Sequence, residues 1–123
     1  MNKEEALQHI QTNNLTGIKA GLERPNFLEI WMVVVQDRIF ARSWGLAEKS
    51  WYNSFLKNPI GEIKCGNTIF RINGLVPNDK DELADAINTA YLTKYNTEEN
   101  IPYSKGITTQ KHIDKTMEII LCE

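Results

Sequence analysis

Two β-hairpin patterns limit this chain to a fold with a largely antiparallel sheet. The run LEIWMVVVQ at residues 28–36 is dense in β-branched and aromatic residues, and IFARSW at 39–44 follows after only two residues. IGEIKC at 60–65 and TIFRINGLV at 68–76 are separated by Gly-Asn, a dipeptide that favours a primed two-residue turn. Strands joined by connections this short run antiparallel.

The second hairpin has a register that its side chains define. Pairing Cys65 with Thr68 places apolar residues opposite each other on one face and Glu62 opposite Arg71 on the other. One apolar face and one face with an opposite-charge pair are typical of a half-buried hairpin. The pattern therefore supports both strands.

The first hairpin places a charged residue among apolar ones. We expect Gln36 to lie opposite Ile39, which sets Arg42 opposite Val33 on a face with aromatic neighbours. A guanidinium there needs an anion, or its side chain must extend to water. Arg42 therefore binds a phosphate or carboxylate of a ligand, or pairs with a carboxylate of the protein such as Glu48, or is exposed by a different register.

Periodicities outside the hairpins predict three helices and two further strands. In chain order these are a helix over 1–14, a strand over 16–22, a short helix over 48–58, a long helix over 79–96 and a strand over 116–121. Asp79, with Glu82 three residues later, gives a capping-box spacing at the start of the long helix, and the following segment NTEENIPYSKGITTQKH is expected to be irregular. Six strands and three helices predict an α+β or mainly β fold, a small antiparallel barrel with peripheral helices.

Length and composition indicate one domain over residues 1–123 and exclude several classes of partner. The chain has 123 residues, 41% of them hydrophobic and 24% charged, which suits a globular domain with its own core. A net charge of −2 gives no basic footprint for nucleic acid or an anionic membrane. No apolar run approaches the roughly 20 residues of a membrane span, and the charged start MNKEEALQHI lacks a signal-peptide core, so we expect a cytoplasmic protein.

The cysteines and histidines predict no metal site. Cys65 and Cys122 show neither a CxxC spacing nor histidines at zinc-ligand spacing. We expect two free thiols packed on strands, and a disulfide stays open as the alternative because the sequence does not define their Cα separation. His9 and His112 lack partners at a triad or metal spacing, and solvated or capping roles are expected for both.

The stretch RSWGLAEKSWY at residues 42–52 concentrates the residues of a candidate ligand site. Two tryptophans seven residues apart flank a loop with Gly45 and Lys49, and Arg42 precedes the first of them. Lys49 lies at the expected start of the short helix, where backbone N–H groups and an ammonium attract an anion. Solvation of Lys49 and core packing of Trp51 are the alternatives.

The segment WGLAEKSWYNSFLKNPIGEI resembles a part of the deazaflavin-dependent nitroreductases in which a strand ends in a Gly-containing loop, followed by a Trp-Tyr helix and an Asn-Pro stop. The ending AINTAYLTKY…IPYSKGITTQKHIDKTMEIIL resembles a family of uncharacterised bacterial proteins grouped with the flavin-binding split β-barrels, which include the pyridoxamine-phosphate oxidases. The resemblance extends over residues 28–121. It implies a six-stranded antiparallel split β-barrel, a homodimer, and FMN or a deazaflavin near the dimer interface.

The resemblance also implies which residues would contact such a cofactor. The matching positions are Arg42, Ser43 and Trp44 at the strand end, Gly45 and Lys49 in the loop, and Trp51 and Tyr52 at the helix start. One departure concerns the Lys/Arg- and Gly-rich cofactor loop that the nitroreductases carry between their first two strands. Here that connection is ERPNF at 23–27, with Arg24 as its single cation, which predicts weaker anchoring of a phosphate.

Three functions are compatible with these residues. The first is a flavin- or deazaflavin-dependent oxidoreductase of nitroreductase type, in which the cofactor supplies the redox chemistry. The second is a non-catalytic protein that binds a small aromatic or phosphate-bearing ligand, such as a flavin fragment or haem, in the same pocket. The third is a structural dimer whose pocket is filled by its own tryptophans and whose cofactor site has been lost.

Overall fold

Seven strands and five helices make up the described part of the chain, residues 3–45 and 50–122 of the computed structural model. The strands are β1 (Thr16–Ala20), β2 (Leu28–Ile30), β3 (Val33–Val35), β4 (Arg38–Arg42), β5 (Ile60–Cys65), β6 (Thr68–Leu75) and β7 (Thr116–Leu121). The helices are α1 (Lys3–Thr12), α2 (Trp51–Lys57), α3 (Lys80–Lys94), α4 (Ile101–Ile107) and α5 (Gln110–Ile113). The predicted α+β class is confirmed, whereas the predicted numbers of six strands and three helices are wrong.

The seven strands form one antiparallel sheet in the order β2-β1-β5-β6-β7-β4-β3. Its two edge strands, β2 and β3, are consecutive in the chain and separated only by Trp31 and Met32. Since each residue spans at most about 3.5 Å along an extended chain, the two edges approach to within roughly 10 Å of each other at this point. The sheet therefore curls into a barrel-like fold with an opening between its edges.

The division between β2 and β3 accounts for the additional strand. The single strand predicted over 28–36 is wrong, because Leu28 pairs with Ile18 of β1 whereas Val33 pairs with Phe40 of β4. Since β1 and β4 lie at different positions of the sheet, the chain must bend between the two pairings. The bend falls at the two residues that join β2 to β3.

The predicted register of the β5–β6 hairpin is confirmed. Cys65 lies opposite Thr68 and Glu62 lies opposite Arg71. Gly66 opens the turn with φ of 64°, in the left-handed region that a primed turn requires. The alternating burial along both strands follows from this register, with Ile63, Phe70 and Ile72 inward and the charged pair Glu62 and Arg71 outward.

The predicted register of the β3–β4 hairpin is wrong by two residues. Val35 lies opposite Arg38, and Gln36 and Asp37 form the turn with φ of 55° and 61°. Both values lie in the left-handed region, as a type I′ turn requires. Because side chains alternate with a period of two, a shift of two residues leaves Arg42 on its predicted face.

The helix α3 covers the outer face of β3 and β4. Val33 and Phe40 of these strands are buried in a cluster with residues of α3 and α4, namely Leu83, Ile87, Tyr91, Tyr95 and Ile107. The segment after α3, which was expected to be irregular, contains α4 and α5. Ser104 of α4 donates its hydroxyl to Tyr95 O at 2.6 Å, so α4 is bonded directly to the end of α3.

Asp79 precedes α3 but makes no side-chain capping bond, so the predicted capping box is wrong. Its carboxylate instead accepts two hydrogen bonds from Arg38, at 2.8 and 3.0 Å. Arg38 also donates to both carboxylate oxygens of Glu118, at 3.1 and 2.9 Å. This ion-pair network ties the start of α3 to β4 and β7.

The main core lies inside the curled sheet. Strand residues with side chains pointing inward, including Ile18, Ile63 and Ile72, pack there against α1 and α2. Phe55 of α2 lies so close to the backbone that a Cβ on Gly74 would approach its ring to 2.6 Å. A side chain at that position would displace the helix.

Both cysteines are free, as predicted. Cys65 is buried on β5, and this burial raises the pKa of its thiol to about 11. Cys122 is exposed after β7, which corrects the expectation that both thiols are packed. In the described part of the chain, no helix is both long and apolar enough to cross a membrane.

Candidate functional site

A cavity of about 530 Å³ opens between β2 and the end of β4. We call it the seam cavity. Its apolar lining includes Leu15, Ile18, Leu28, Ile30, Trp31 and Ile107, and its polar lining includes Arg24, Asn26, Glu29, Arg42, Ser43 and Ser50. The volume and the mixture of apolar walls with few polar groups are typical of sites for small molecules.

The seam cavity exists because β2 pairs with β1 and does not continue the pairing of β3 with β4. Continuing the β3–β4 register by two residues beyond the pair Val33 and Phe40 would place Trp31 opposite Arg42. The chain instead bends at Trp31, and β2 pairs with β1 on the other side of the opening. The last residue of β4 therefore keeps a strand partner only on the β7 side, where Thr116 lies opposite it.

Two tryptophan rings in the cavity wall are each backed by another ring. Trp31 stacks on Tyr95 with centroids 3.8 Å apart and planes at 6°. Trp44 stacks on His112 at 4.9 Å and 7°, and it is 52% exposed. Since one face of each indole is covered in this way, the other face or an edge lines the cavity.

The position of Trp44 is built by the segment that was expected to be irregular. A Cβ on Gly106 of α4 would lie 2.8 Å from the indole, so this glycine leaves the space that the ring occupies. His112 is buried, with Nδ1 3.0 Å from Ser43 O. Because a carbonyl oxygen only accepts, Nδ1 must carry a proton. The predicted solvated or capping role of His112 is wrong, since the ring supports Trp44 and fixes the strand end.

Arg42 is 3% exposed and is held entirely by neutral acceptors among the described residues. Its guanidinium donates to Thr116 Oγ1 at 3.1 Å, Ile107 O at 3.1 Å, Ala84 O at 3.3 Å and Asn88 Oδ1. These bonds occupy four of the five N–H groups of the side chain. The suggested partner Glu48 lies outside the described residues.

The charge of Arg42 is therefore buried without a carboxylate in the described part of the chain. Burial lowers the pKa of the guanidinium, but an arginine in a protein stays protonated. A buried charge without a counter-ion is costly, and an anion in the adjoining cavity would reduce that cost.

Arg24 supplies a second cation at the seam cavity. It is exposed, and it donates a long hydrogen bond of 3.4 Å from Nη2 to Ser54 Oγ. Glu29 is the one carboxylate among the described lining residues, which together carry a net charge of about +1. Between residues 3–45 and 50–122 no cluster of three or more His, Cys, Asp or Glu side chains is arranged to hold a metal ion.

The structure brings together most of the predicted site residues that it describes. Arg42, Ser43, Trp44, Gly45 and Trp51 all line the seam cavity. Trp51, the first residue of α2, is also largely buried in the main core beside Phe55, which agrees with its alternative role in the core.

Of the two remaining predicted site residues, Tyr52 does not line the cavity and Lys49 is not described by the structure. Tyr52 packs in the core, where its hydroxyl donates to Asp114 O at 3.3 Å and Lys115 Nζ lies 5.2 Å from its ring. Lys49 lies outside the described residues. Its interpretation as an anion-binding residue stays a prediction.

Among the residues of the cavity wall that sequence reasoning missed, three are informative. Trp31 was assigned to the middle of a continuous strand, which concealed its position at the bend. Tyr103 and Ile107 belong to α4, in the segment that was expected to be irregular. The length of that segment was the available signal, because loops longer than about 12–15 residues without secondary structure are uncommon in compact domains.

Comparison with known proteins relates the chain to bacterial proteins. The profile of a family described as uncharacterized proteins conserved in bacteria (DUF2255) matches residues 6–119. The crystal structure of the conserved hypothetical protein Rv2991 from Mycobacterium tuberculosis is similar, with a TM-score of 0.57 and 14% identity, over 97% of this chain and 78% of that one. At this identity the likeness concerns the fold alone. No curated protein matches the chain.

Proposed function

This chain belongs to the DUF2255 family of bacterial proteins, and we propose that it binds a planar aromatic ligand with an anionic group, of the FMN class, in the seam cavity. The observation that carries the proposal is the meeting of two backed tryptophans with a buried guanidinium that has no carboxylate partner among the described residues. This combination offers stacking surfaces and a positive charge to one ligand.

The rings of Trp31 and Trp44 support the aromatic part of the proposal. Stacking of Trp31 on Tyr95 and of Trp44 on His112 restricts each indole before any ligand arrives. A ligand that stacks on a fixed ring loses little additional side-chain entropy on binding. Each aromatic contact of this kind contributes about 0.5–1.5 kcal/mol beyond the area that it buries.

The two arginines support the anionic part of the proposal. Arg42 has one N–H group without an acceptor among the described residues and brings a buried positive charge to the cavity. Arg24 is exposed and has a single long hydrogen bond, so its remaining donors can turn to a phosphate or carboxylate. Hydrogen bonds between such charged groups are about twice as strong as neutral ones.

The donors present fit one anionic group better than several. Arg24 is the single cation in the connection between β1 and β2, and a polyanionic deazaflavin would need more. FMN therefore fits better than a deazaflavin. When bound, a flavin would supply the redox chemistry of an oxidoreductase of nitroreductase type, and the chain would bind and orient it. A homodimer, as the family resemblance implies, and a cytoplasmic location, as the charged N-terminal segment predicts, are part of the same proposal.

A titration of tryptophan fluorescence with FMN tests the proposal. We expect saturable quenching, and we expect Arg24→Ala to weaken binding about tenfold, which corresponds to about 1.4 kcal/mol. Arg71→Ala is the matched control, because it removes an exposed arginine that faces Glu62 on the outer side of the sheet, away from the cavity. Absence of saturable quenching by the folded protein, or equal affinities of the two variants, would refute the assignment of this site.

A non-catalytic binding protein is the second candidate. The short connection ERPNF between β1 and β2 favours it, since one cation there anchors a phosphate more weakly than the Lys/Arg- and Gly-rich cofactor loop of the nitroreductases. The two candidates differ in turnover. A bound flavin that a nicotinamide reductant reduces, and that an added acceptor reoxidises, would identify the oxidoreductase, whereas binding without turnover would identify the carrier.

A further inference from the structure

We propose that Tyr91 and Tyr95 are positioning residues of the seam cavity. Their hydroxyls bond the backbones of Arg42 and Met32, on the two sides of the opening where β3 and β4 stop exchanging hydrogen bonds. In this way they hold the guanidinium and the indole of Trp31 at the cavity.

Tyr91 supplies the bond that the strand cannot. In a two-residue hairpin the residues beside the turn form a bonded pair, and bonded pairs alternate along the ladder. Starting from the bonded pair Val35 and Arg38, the next bonded pair is Val33 with Phe40. The one after it would be Trp31 with Arg42. The chain bends away there, and Arg42 N donates to Tyr91 Oη at 2.9 Å instead.

The same tyrosine also faces the side chain of Arg42. The ring of Tyr91 lies 5.7 Å from the guanidinium carbon, within the range of a cation–π contact. One residue therefore fixes both the backbone and the charged group of Arg42. The orientation of that group decides where an anion can bind.

Tyr95 performs the corresponding task on the other side of the opening. Its hydroxyl accepts from Met32 N at 3.2 Å and donates to Asn14 O at 2.6 Å, while its ring carries Trp31. The bend between β2 and β3 is thereby fixed to α3 by the residue that backs the indole. Tyr91 and Tyr95 are one helical turn apart, so a single helix sets both sides of the opening.

Both tyrosines are fully buried, which makes their hydroxyls informative. Packing alone would be served by phenylalanine, since a buried hydroxyl is costly unless it is bonded. Burial raises the pKa of Tyr91 to about 12 and that of Tyr95 further. Both side chains therefore stay protonated at neutral pH and keep these bonds.

The test uses Tyr91→Phe and Tyr95→Phe, with Ser104→Ala as a matched control. Ser104 also loses a buried hydroxyl, one that bonds Tyr95 O, but it touches neither side of the opening. Amide hydrogen exchange and fluorine NMR of 5-fluorotryptophan protein report on the backbone and on the indole rings. Neither measurement needs a ligand, so both test this inference independently of the proposed function. Only the FMN affinity rests on the proposed function.

We expect Tyr91→Phe to accelerate exchange of the Arg42 amide about tenfold, as loss of one buried hydrogen bond implies. Tyr95→Phe should do the same at the Met32 amide and shift the fluorine resonance of Trp31. Both variants should weaken FMN binding, and Ser104→Ala should leave these amides, that resonance and the FMN affinity unchanged. If the tyrosine variants match Ser104→Ala in all readouts, or lose only thermal stability, the hydroxyls stabilise the fold without positioning the site and the inference is wrong.

Discussion

Thr16 and Thr116 form a natural pair for testing the hydrogen-bond account of this fold. Each begins a strand and each is buried, with exposures of 1% and 0%. Thr16 Oγ1 has no hydrogen-bond partner in the described part of the chain. Thr116 Oγ1 donates to Ile113 O at 2.7 Å and accepts from Arg42 Nε at 3.1 Å. The same Thr→Val substitution therefore removes a cost at one position and two bonds at the other.

The two variants should change stability in opposite directions. A buried hydroxyl without a partner costs about 1–3 kcal/mol. Valine has the shape of threonine and a similar preference for strands. Thr16→Val should therefore raise the free energy of unfolding by about 1 kcal/mol or more. Thr116→Val should lower it by about 2–4 kcal/mol, because it leaves Ile113 O unsatisfied and deletes a bond to a charged donor.

Urea unfolding, monitored by tryptophan fluorescence with the slope of the transition held common, measures both differences. A destabilised Thr16→Val variant would refute the reasoning, since it would mean that the Thr16 hydroxyl has a partner such as a buried water molecule.

Three further predictions concern the helix start, the thiols and the cavity wall. Asp79→Asn should reduce the loss of stability at acid pH. Pairing with Arg38 lowers the pKa of Asp79, so the contribution of the Asp79 carboxylate to the free energy of unfolding is full above the ordinary aspartate pKa and is lost as the pH falls through the lowered value. Urea unfolding from neutral pH down to pH 3 measures this, and the same dependence of stability on pH in the variant and the native protein would show that the pair is irrelevant. A thiol reagent at pH 8 should modify exposed Cys122 of the native protein and leave buried Cys65 unmodified. Mass spectrometry of peptides measures the labelling, and equal labelling of the two thiols would contradict the burial of Cys65 on β5. Gly106→Ala should keep or raise the thermal stability, by up to about 1 kcal/mol, because alanine has the higher helix propensity. The added methyl group should displace the indole of Trp44 and weaken FMN binding. Calorimetry combined with an FMN titration tests both effects, and an unchanged FMN affinity would contradict the prediction.

The parts of the fold that the sequence predicts correctly are those whose side chains decide the answer locally. The β5–β6 hairpin alternates apolar and charged residues around a Gly-Asn turn, so only one register buries the apolar face. The β3–β4 hairpin lacks this information, because Gln36 is an unusual residue for the left-handed φ that it adopts in the turn and valines occupy both faces. A register error of two residues followed.

The bend that creates the cavity depends on the whole sheet. Residues 28–36 have the composition of one central strand, and only the closing of the sheet divides them between two neighbours. The side chains that build the site from α4 and α5 were missed for a related reason. These helices have 7 and 4 residues, too short to form from local propensity, and they pack on α3 and on the end of β4.

The site residues show the same division. The burial of Arg42 followed from its position in an apolar strand, and the structure places it on the predicted face. Its partners did not follow, since they come from α3, α4 and β7 and none is the carboxylate that a buried guanidinium suggests. Sequence identifies a residue that needs an unusual environment, whereas tertiary structure supplies that environment.

The central claim is that one cavity presents tryptophan rings and a buried guanidinium to the same ligand. Fluorine NMR of 5-fluorotryptophan protein during an FMN titration tests it directly, because each of the three tryptophans gives its own resonance and Trp→Phe variants assign them. The account predicts saturable shifts of the Trp31 and Trp44 resonances with one common affinity, lost together in Arg42→Gln protein that remains folded. Shifts confined to other resonances, or no shift of either indole as FMN binds, would contradict it.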